Sequence, residues 1–280
     1  MANALPFDIV FADTCVGGST VAAELARTRN GIRAFFLADY AVNPLGVKSQ
    51  EAVQEALNRW VDAAVGRATE LVIACNTASV RLRGAPEVLD RAESLGVRVH
   101  SMADFLEKRL EEGAAVVQGK WVCLMGTEFT VGQPLYRDRL LGAGASAVLP
   151  LAATRTERAI AHLEHDSPEG REAILEELRE TLGEADAVVL ACTCFPMVGD
   201  LIREMNPSIT LLDPAVGVER LAGMAGLGGM AGSEGPNRLT VALTGEVLTP
   251  EELRAQFNQL FPEWELEGVV TWEEGQWKGA

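Results

Sequence analysis

The sequence predicts an α/β protein of two pseudosymmetric, doubly wound domains with mainly parallel sheets and a ligand site in the cleft between them. Three observations carry that expectation. Strand and helix patterns alternate along the chain, which is how parallel sheets covered on both faces are built. The stretch Leu71-Val72-Ile73-Ala74-Cys75-Asn76-Thr77-Ala78 returns as Val188-Val189-Leu190-Ala191-Cys192-Thr193-Cys194. In both copies apolar, β-favouring residues lead through Ala to Cys and a small polar residue, as a buried parallel strand does on opening into a helix-bearing loop. Finally, 280 residues at 48% hydrophobic suffice for two cores of ordinary size. Two such units facing one cleft would set Cys75 and Cys192 on opposite faces of a bound molecule. That arrangement suits proton transfer at a carbon.

In chain order, residues 7–11 form a short apolar strand and Asp13 to Thr20 a glycine-containing turn into a helix that carries Val21 and Leu25 inward. A second strand covers 31–38 and ends at Asp39; Asn43-Pro44-Leu45-Gly46 is a loop before a helix starting near Ser49. In that helix Val53, Leu57, Trp60, Val61 and Ala64 keep helical spacing. The Cys75 strand is third, followed by a helix to about Ser94 and a fourth strand from Val97. Near Ser101 the pattern starts over. Residues 103–110 read as a helix, 120–125 as a strand, 126–130 as a loop into a helix around Tyr136, and 145–151 as a strand. Ser167-Pro168-Glu169 opens a helix with Ser as cap and Pro at its first position. After the Cys192 strand come a strand at 209–212, a glycine-rich segment at 226–232 read as a mobile loop, and a late strand at 239–243. Thr249-Pro250-Glu251-Glu252 is a capping box for the last helix.

Charge and composition narrow the partners. A formal net charge of −16, with no sizeable Lys/Arg cluster, argues against a nucleic-acid surface or an anionic membrane. No apolar run approaches the length of a membrane span, and Met1 to Pro6 lacks the regions of a signal peptide. Five cysteines, an odd count, fit reduced thiols better than a disulfide framework, so a cytoplasmic location is expected.

Asp13-Thr14-Cys15-Val16-Gly17-Gly18, Ala74-Cys75-Asn76-Thr77-Ala78-Ser79 and Ala191-Cys192-Thr193-Cys194-Phe195-Pro196 resemble the three signature segments of the aspartate/glutamate racemase superfamily, closest to its glutamate racemases. Residues 39–49 are similar to that family's Pro-Tyr-Gly loop and flanks. Gly126-Thr127 with Thr130-Val131 and Tyr136, and Leu243-Thr244-Gly245, match two further segments. The resemblance implies a cofactor-independent racemase acting on an acidic amino acid or related small carboxylate, with no metal. Its first domain would span residues 1–100 plus 209–280 and its second 101–208, and homodimers would be common. The catalytic residues would be Cys75 and Cys192 as the two bases, Asp13 assisting Cys75, and Cys194 in the position of the group that tunes Cys192. Thr14, Pro44, Leu45, Gly46, Asn76, Thr77, Thr127, Thr130 and Thr193 would line the substrate site.

The chemistry is consistent with that reading. A thiol with an ordinary pKa near 8.5 supplies some thiolate at neutral pH, and a strand-to-helix turn favours the anion. Proton exchange needs one thiolate and one thiol, with hydroxyl and N–H donors for the charge that develops on the carboxylate. An arbitrary cysteine at a strand end is more often a small buried packing residue. Two matched ones within family-like segments reverse that weighting. The chain departs from the family pattern in placing Cys194 where glutamate racemases have His, Cys15 where they have Gly, Thr14 where they have Ser and Leu45 where they have Tyr. Residues 150–154 also lack their Cys-Pro and Glu positions. These departures bear on the substrate more than on the fold.

Alternatives follow from the extra cysteines. Cys15, Cys75, Cys192 and Cys194 all lie at or just past strand ends, the edge where α/β ligands bind, so four sulfurs converging on zinc or an iron–sulfur cluster form a second hypothesis. A lyase or decarboxylase relative, and a binding protein that kept the fold and lost turnover, are two others. His162 and His165 are expected on an exposed helix, Cys123 in the core, and Trp264, Trp272 and Trp277 in an acidic tail that covers a domain edge or a dimer contact.

Overall fold

The computed structural model describes residues 5–218, 235–273 and 276–278, without the side chains of 180 and 272–277. Eleven strands are present among them: β1 (Ile9–Asp13), β2 (Arg33–Asp39), β3 (Glu70–Ile73), β4 (Arg98–Ser101), β5 (Trp121–Gly126), β6 (Ala147–Ala152), β7 (Ala187–Ala191), β8 (Thr210–Leu212), β9 (Arg238–Thr244), β10 (Glu265–Glu273) and β11 (Gln276–Lys278). They form two sheets, one ordered β11-β10-β9-β2-β1-β3-β4 and one ordered β6-β5-β7-β8. Every pairing is parallel except that of β10 with β11. The block β2-β1-β3-β4 has the same order as β6-β5-β7-β8, so the sequence repeat corresponds to a topological one. Cys75 follows β3 and Cys192 follows β7, the equivalent strands. Each stands beside the point where strand order reverses, which is where ligands bind in open α/β sheets.

β8 pairs with β7, because Thr210 to Leu212 continue the apolar edge of the smaller sheet. The strand, which lies past the expected domain boundary at 209, is thus part of the second sheet. The tail expected to cover a domain edge or make a dimer contact contains two strands not foreseen, β10 and β11, with β10 running parallel to β9 at the edge of the larger sheet. Trp264 is buried against this edge. The side chains of Trp272 and Trp277, and the glycine-rich segment 226–232, lie outside what is described.

Helices cover both faces of each sheet. Val53, Leu57, Trp60 and Val61 of Gln50–Ala64 are fully buried on one face of the larger sheet, with Ser49 capping the helix through the Ala52 N–H at 3.3 Å. The expected capping box at Thr249 and Glu252 and the Ser167 cap are both formed. The single helix expected after Cys75 is two, Asn76–Leu82 and Pro86–Ser94, divided where Pro86 cannot continue the first. His165 is buried beyond the end of the helix Thr154–Ala161 rather than displayed on a helix face; His162 is exposed. One apolar core runs from the larger sheet into the smaller, through Val16, Phe36 and Tyr40 on one side and Ile160, Cys194 and Phe195 on the other. Tyr40 Oη donates to the Ala161 carbonyl at 3.2 Å and Thr20 Oγ1 to that of Thr193 at 2.8 Å, which ties the two carboxyl edges together. No described helix is long and apolar enough to cross a membrane.

Candidate active site

The carboxyl ends of both sheets open on one cavity of about 440 Å³. Its wall brings together Asp13, Thr14 and Cys15 after β1, Pro44, Leu45 and Gly46 after β2, and Cys75, Asn76 and Thr77 after β3. From the smaller sheet come Thr127 after β5 and Cys192, Thr193 and Cys194 after β7. Of the residues expected at the site only Thr130 stands off the wall. It is fully buried behind it, 3.1 Å from Thr77 Oγ1 and 3.0 Å from Thr127 Oγ1, and so positions those two hydroxyls.

Asp13 is the hub. Its Oδ1 accepts the Thr14 N–H at 2.6 Å, its Oδ2 accepts the Thr193 hydroxyl at 2.9 Å, and the Cys75 thiol donates to the same carboxylate. One group thus touches both cysteine-bearing loops. Burial raises its pKa to about 6, against the lowering effect of those donors. The Asn76 amide satisfies all its neighbours when its NH₂ donates to Tyr136 Oη at 2.7 Å and its oxygen accepts from the backbone N–H groups of Cys192 and Thr193, each at 3.3 Å. The helix after one cysteine thereby fixes the loop of the other. Thr77 Oγ1 lies 3.0 Å from Thr127 Oγ1, a further side-chain link across the cleft.

All four cysteines on the wall are free thiols and almost wholly buried. Burial, then the charge of Asp13, pushes the Cys75 pKa well above its ordinary value, and Cys192 is near enough for its charge to add to this. The strand-to-helix turn therefore does not by itself generate a thiolate at Cys75. Cys15 and Cys194 face each other at 3.6 Å between sulfurs. The contact with Cys194 pulls the Cys15 pKa down, yet burial and the charges of Asp13 and Glu157 prevail and leave it at about 11. The Cys194 thiol is raised by its contacts with Cys15 and Cys192 and then by burial. The four sulfurs do not gather into one metal-sized cluster. Among the described residues, the group compact enough to hold an ion is Cys15, Cys194 and Glu157, without Cys75 or Cys192.

Glu157 was missed. The segment after β6 lacks the family's Glu at 150–154, but Glu157, in the first turn of Thr154–Ala161, reaches the same wall. Burial and the charge of Asp13 raise its pKa to about 7. Its place just past the end of a parallel strand was the available signal. Phe129 also lines the cavity, packed so closely on the loop after β2 that a Cβ at Gly46 would come within 2.8 Å of its own. The Arg81 guanidinium stacks over that ring, 4.2 Å from its centroid. No Lys, Arg or His is among the lining residues, whereas Asp13, Glu128 and Glu157 are. The wall can donate hydroxyl and N–H groups, accept protons at thiols and carboxylates, and attract a ligand's positive charge.

Comparison with known proteins agrees with this geometry. The family model described as Asp/Glu/Hydantoin racemase matches residues 35–219. The glutamate racemase of Streptococcus suis is 28% identical over 209 residues, which cover 73% of this chain and 76% of that protein. That of Desulforudis audaxviator is 30% identical over 217 residues, 75% of this chain and 76% of that protein. Among solved structures, glutamate racemase from Bacillus anthracis superposes with a TM-score of 0.75 at 20% identity, over 96% of this chain and 98% of that one. The Thermus thermophilus enzyme in complex with β-chloro-D-alanine gives 0.72 at 25% identity over the same shares. With the family model matched over more than half its length and the two-sheet fold shared, the chain belongs to the Asp/Glu/hydantoin racemase family.

Proposed function

We propose that this protein is a cofactor-independent racemase or epimerase of an amino acid, acidic or otherwise carboxylate-bearing, that works by proton transfer between Cys75 and Cys192. The observation that carries the reading is that the two thiols end equivalent strands of the two sheets, β3 and β7, and line one cavity with Asp13 joined to both loops. A substrate α-carbon between them would present one face to each sulfur. One thiolate removes the α-proton, and the opposite thiol delivers its own to the other face; the next turnover runs in reverse.

The electrostatics favour an amino acid over a plain dicarboxylate. The free site disfavours a Cys75 thiolate because burial and Asp13 oppose it, and no basic side chain on the wall compensates. An α-ammonium group brings that missing positive charge, lowering the cost of the thiolate while Asp13 accepts the thiol proton. The substrate carboxylate then falls to hydroxyl and N–H donors, with the Thr77 and Thr127 hydroxyls the best placed. Hydrogen bonds there strengthen as negative charge spreads from the α-carbon into the carboxylate. The thiols, not a metal or an organic cofactor, do the work in this scheme. We also propose that the domains divide as residues 1–100 plus the chain after β8, and 101–212. Turnover of a panel of L- and D-amino acids, followed by chiral chromatography and mass spectrometry, tests the reading. Interconversion of enantiomers at constant mass supports it, and a product of altered mass would assign a lyase or decarboxylase instead.

A further inference from the structure

We infer that Cys15, Cys194 and Glu157 form a binding site for a thiophilic divalent cation of the zinc class, set into the wall of the cavity. Their donor atoms all lie within 4.8 Å of one another. The two sulfurs are 3.6 Å apart. Two thiolates on a tetrahedral zinc, each about 2.3 Å from the metal, stand about 3.8 Å apart, so the pair is already spaced as an edge of that tetrahedron. A disulfide would need them to close to about 2.05 Å.

The surroundings fit the same occupant. The Gly17 N–H donates to Cys15 Sγ at 3.3 Å, the polarity that a thiolate ligand wants. A Cβ at Gly17 would come within 2.5 Å of Cys194 Sγ, so only glycine there leaves the second sulfur its position. The Glu157 carboxylate has no hydrogen-bond partner among the described residues and lies within reach of both sulfurs. With Asp13 and Glu128 on the same wall and no basic side chain, the negative charge is uncompensated. Two thiols and a carboxylate select zinc over magnesium or calcium, and three protein ligands leave a fourth position facing the cavity beside Cys192. On binding, each thiol gives its proton to solvent and its sulfur a lone pair to the metal; nothing is oxidised or reduced.

The site uses neither Cys75 nor Cys192, so it does not rest on the racemase reading. The test is to titrate metal-free, reduced, full-length protein with Co²⁺ and then displace it with Zn²⁺. Expected are saturation at one equivalent, a near-ultraviolet thiolate-to-cobalt absorption, and visible bands of tetrahedral intensity. Cys15→Ser and Cys194→Ser should each remove about half of the charge-transfer intensity and weaken binding at least about tenfold. Glu157→Gln should weaken binding with the thiolate absorption retained, and Cys75→Ser should change neither. Circular dichroism of each variant shows that it is folded. Absence of the absorption, its survival in the Cys15→Ser, Cys194→Ser double variant, or its loss in Cys75→Ser overturns the assignment. Since none of these readouts uses turnover, protein that binds cobalt but does not interconvert enantiomers would count against the racemase reading alone.

Discussion

Two pairs of carboxylates withdrawn from solvent, one lining the cavity (Asp13 buried, Glu157 half-buried) and one outside it (Asp39 and Glu70, both buried), are treated in opposite ways by the same fold. Asp39, at the end of β2, accepts Trp60 Nε1 at 2.8 Å and Thr244 Oγ1 at 2.5 Å and lies 3.5 Å from the Arg59 guanidinium. Glu70, at the start of β3, accepts Arg98 Nε at 2.9 Å and stands 2.8 Å from His100 Nε2. Burial works to raise the Glu70 pKa, but His100 and Arg98 outweigh it and hold the group below its ordinary value. Asp13 and Glu157 have no such cation and sit near 6 and 7. Asp39 and Glu70 are thus paired with cations within the chain. Asp13 and Glu157, without a cation, line the cavity where a ligand's positive charge would complete them, which is the pattern of a site with work to do.

The sharpest way to break this contrast is at the thiols that the unpaired charges surround. Cys75→Ala or Cys192→Ala should lower racemisation by about 10³-fold or more with the fold intact, measured by chiral chromatography. Next comes Asp13→Asn, for which about a 10²-fold loss of kcat is expected together with a gain in stability. The sign follows from linkage: a carboxyl with a folded pKa near 6 and an unfolded one near 3.8 costs stability at neutral pH, fully so above about pH 6 and not at all below about pH 4. That cost is up to about 3 kcal/mol, so the melting temperature of Asp13→Asn should exceed that of the parent at pH 7 and converge with it near pH 4.

Glu70→Gln should do the reverse, leaving turnover alone while destabilising by about 1–2 kcal/mol at pH 7, a figure discounted because Arg98 is largely exposed. Its depressed pKa means that the stabilisation is complete above the unfolded value and fades as pH falls through the folded one. The deficit in thermal melting should therefore shrink in acid. The smallest effect is expected from Leu45→Tyr, which restores the hydroxyl of the family loop. It should lower KM for glutamate about fivefold, the worth of one added hydrogen bond, with kcat little changed.

Much of this was legible in the residues because the relevant signals are local. The two strand-to-cysteine patterns mark β3 and β7, and the capping residues at Ser49, Ser167 and Thr249 mark helix starts that the structure keeps. What was missed is mostly tertiary. β10 was obscured because Glu265 and Glu267 are exposed, and the register shifts between Leu266 and Gly268, which interrupts the apolar pattern of a parallel strand. Glu157 lies far from Cys15 in the chain, and only the packing of Thr154–Ala161 beside the turn after β1 brings its carboxylate to the two thiols. Thr130 matched a family segment, yet one side chain too many was assigned to the wall, since residue spacing does not tell which hydroxyl of Thr127 and Thr130 stands in front. The burial that holds the Cys75 thiol protonated likewise belongs to the assembled cleft and not to its strand-to-helix turn.

The claim that one sulfur serves each face is tested most directly by α-proton exchange in deuterated water, with each enantiomer of a turned-over substrate supplied separately to Cys75→Ala and Cys192→Ala. Each variant should incorporate deuterium into a single enantiomer, without inverting it, and the two should choose opposite enantiomers. Inversion by either variant, or exchange of the same enantiomer by both, would contradict it.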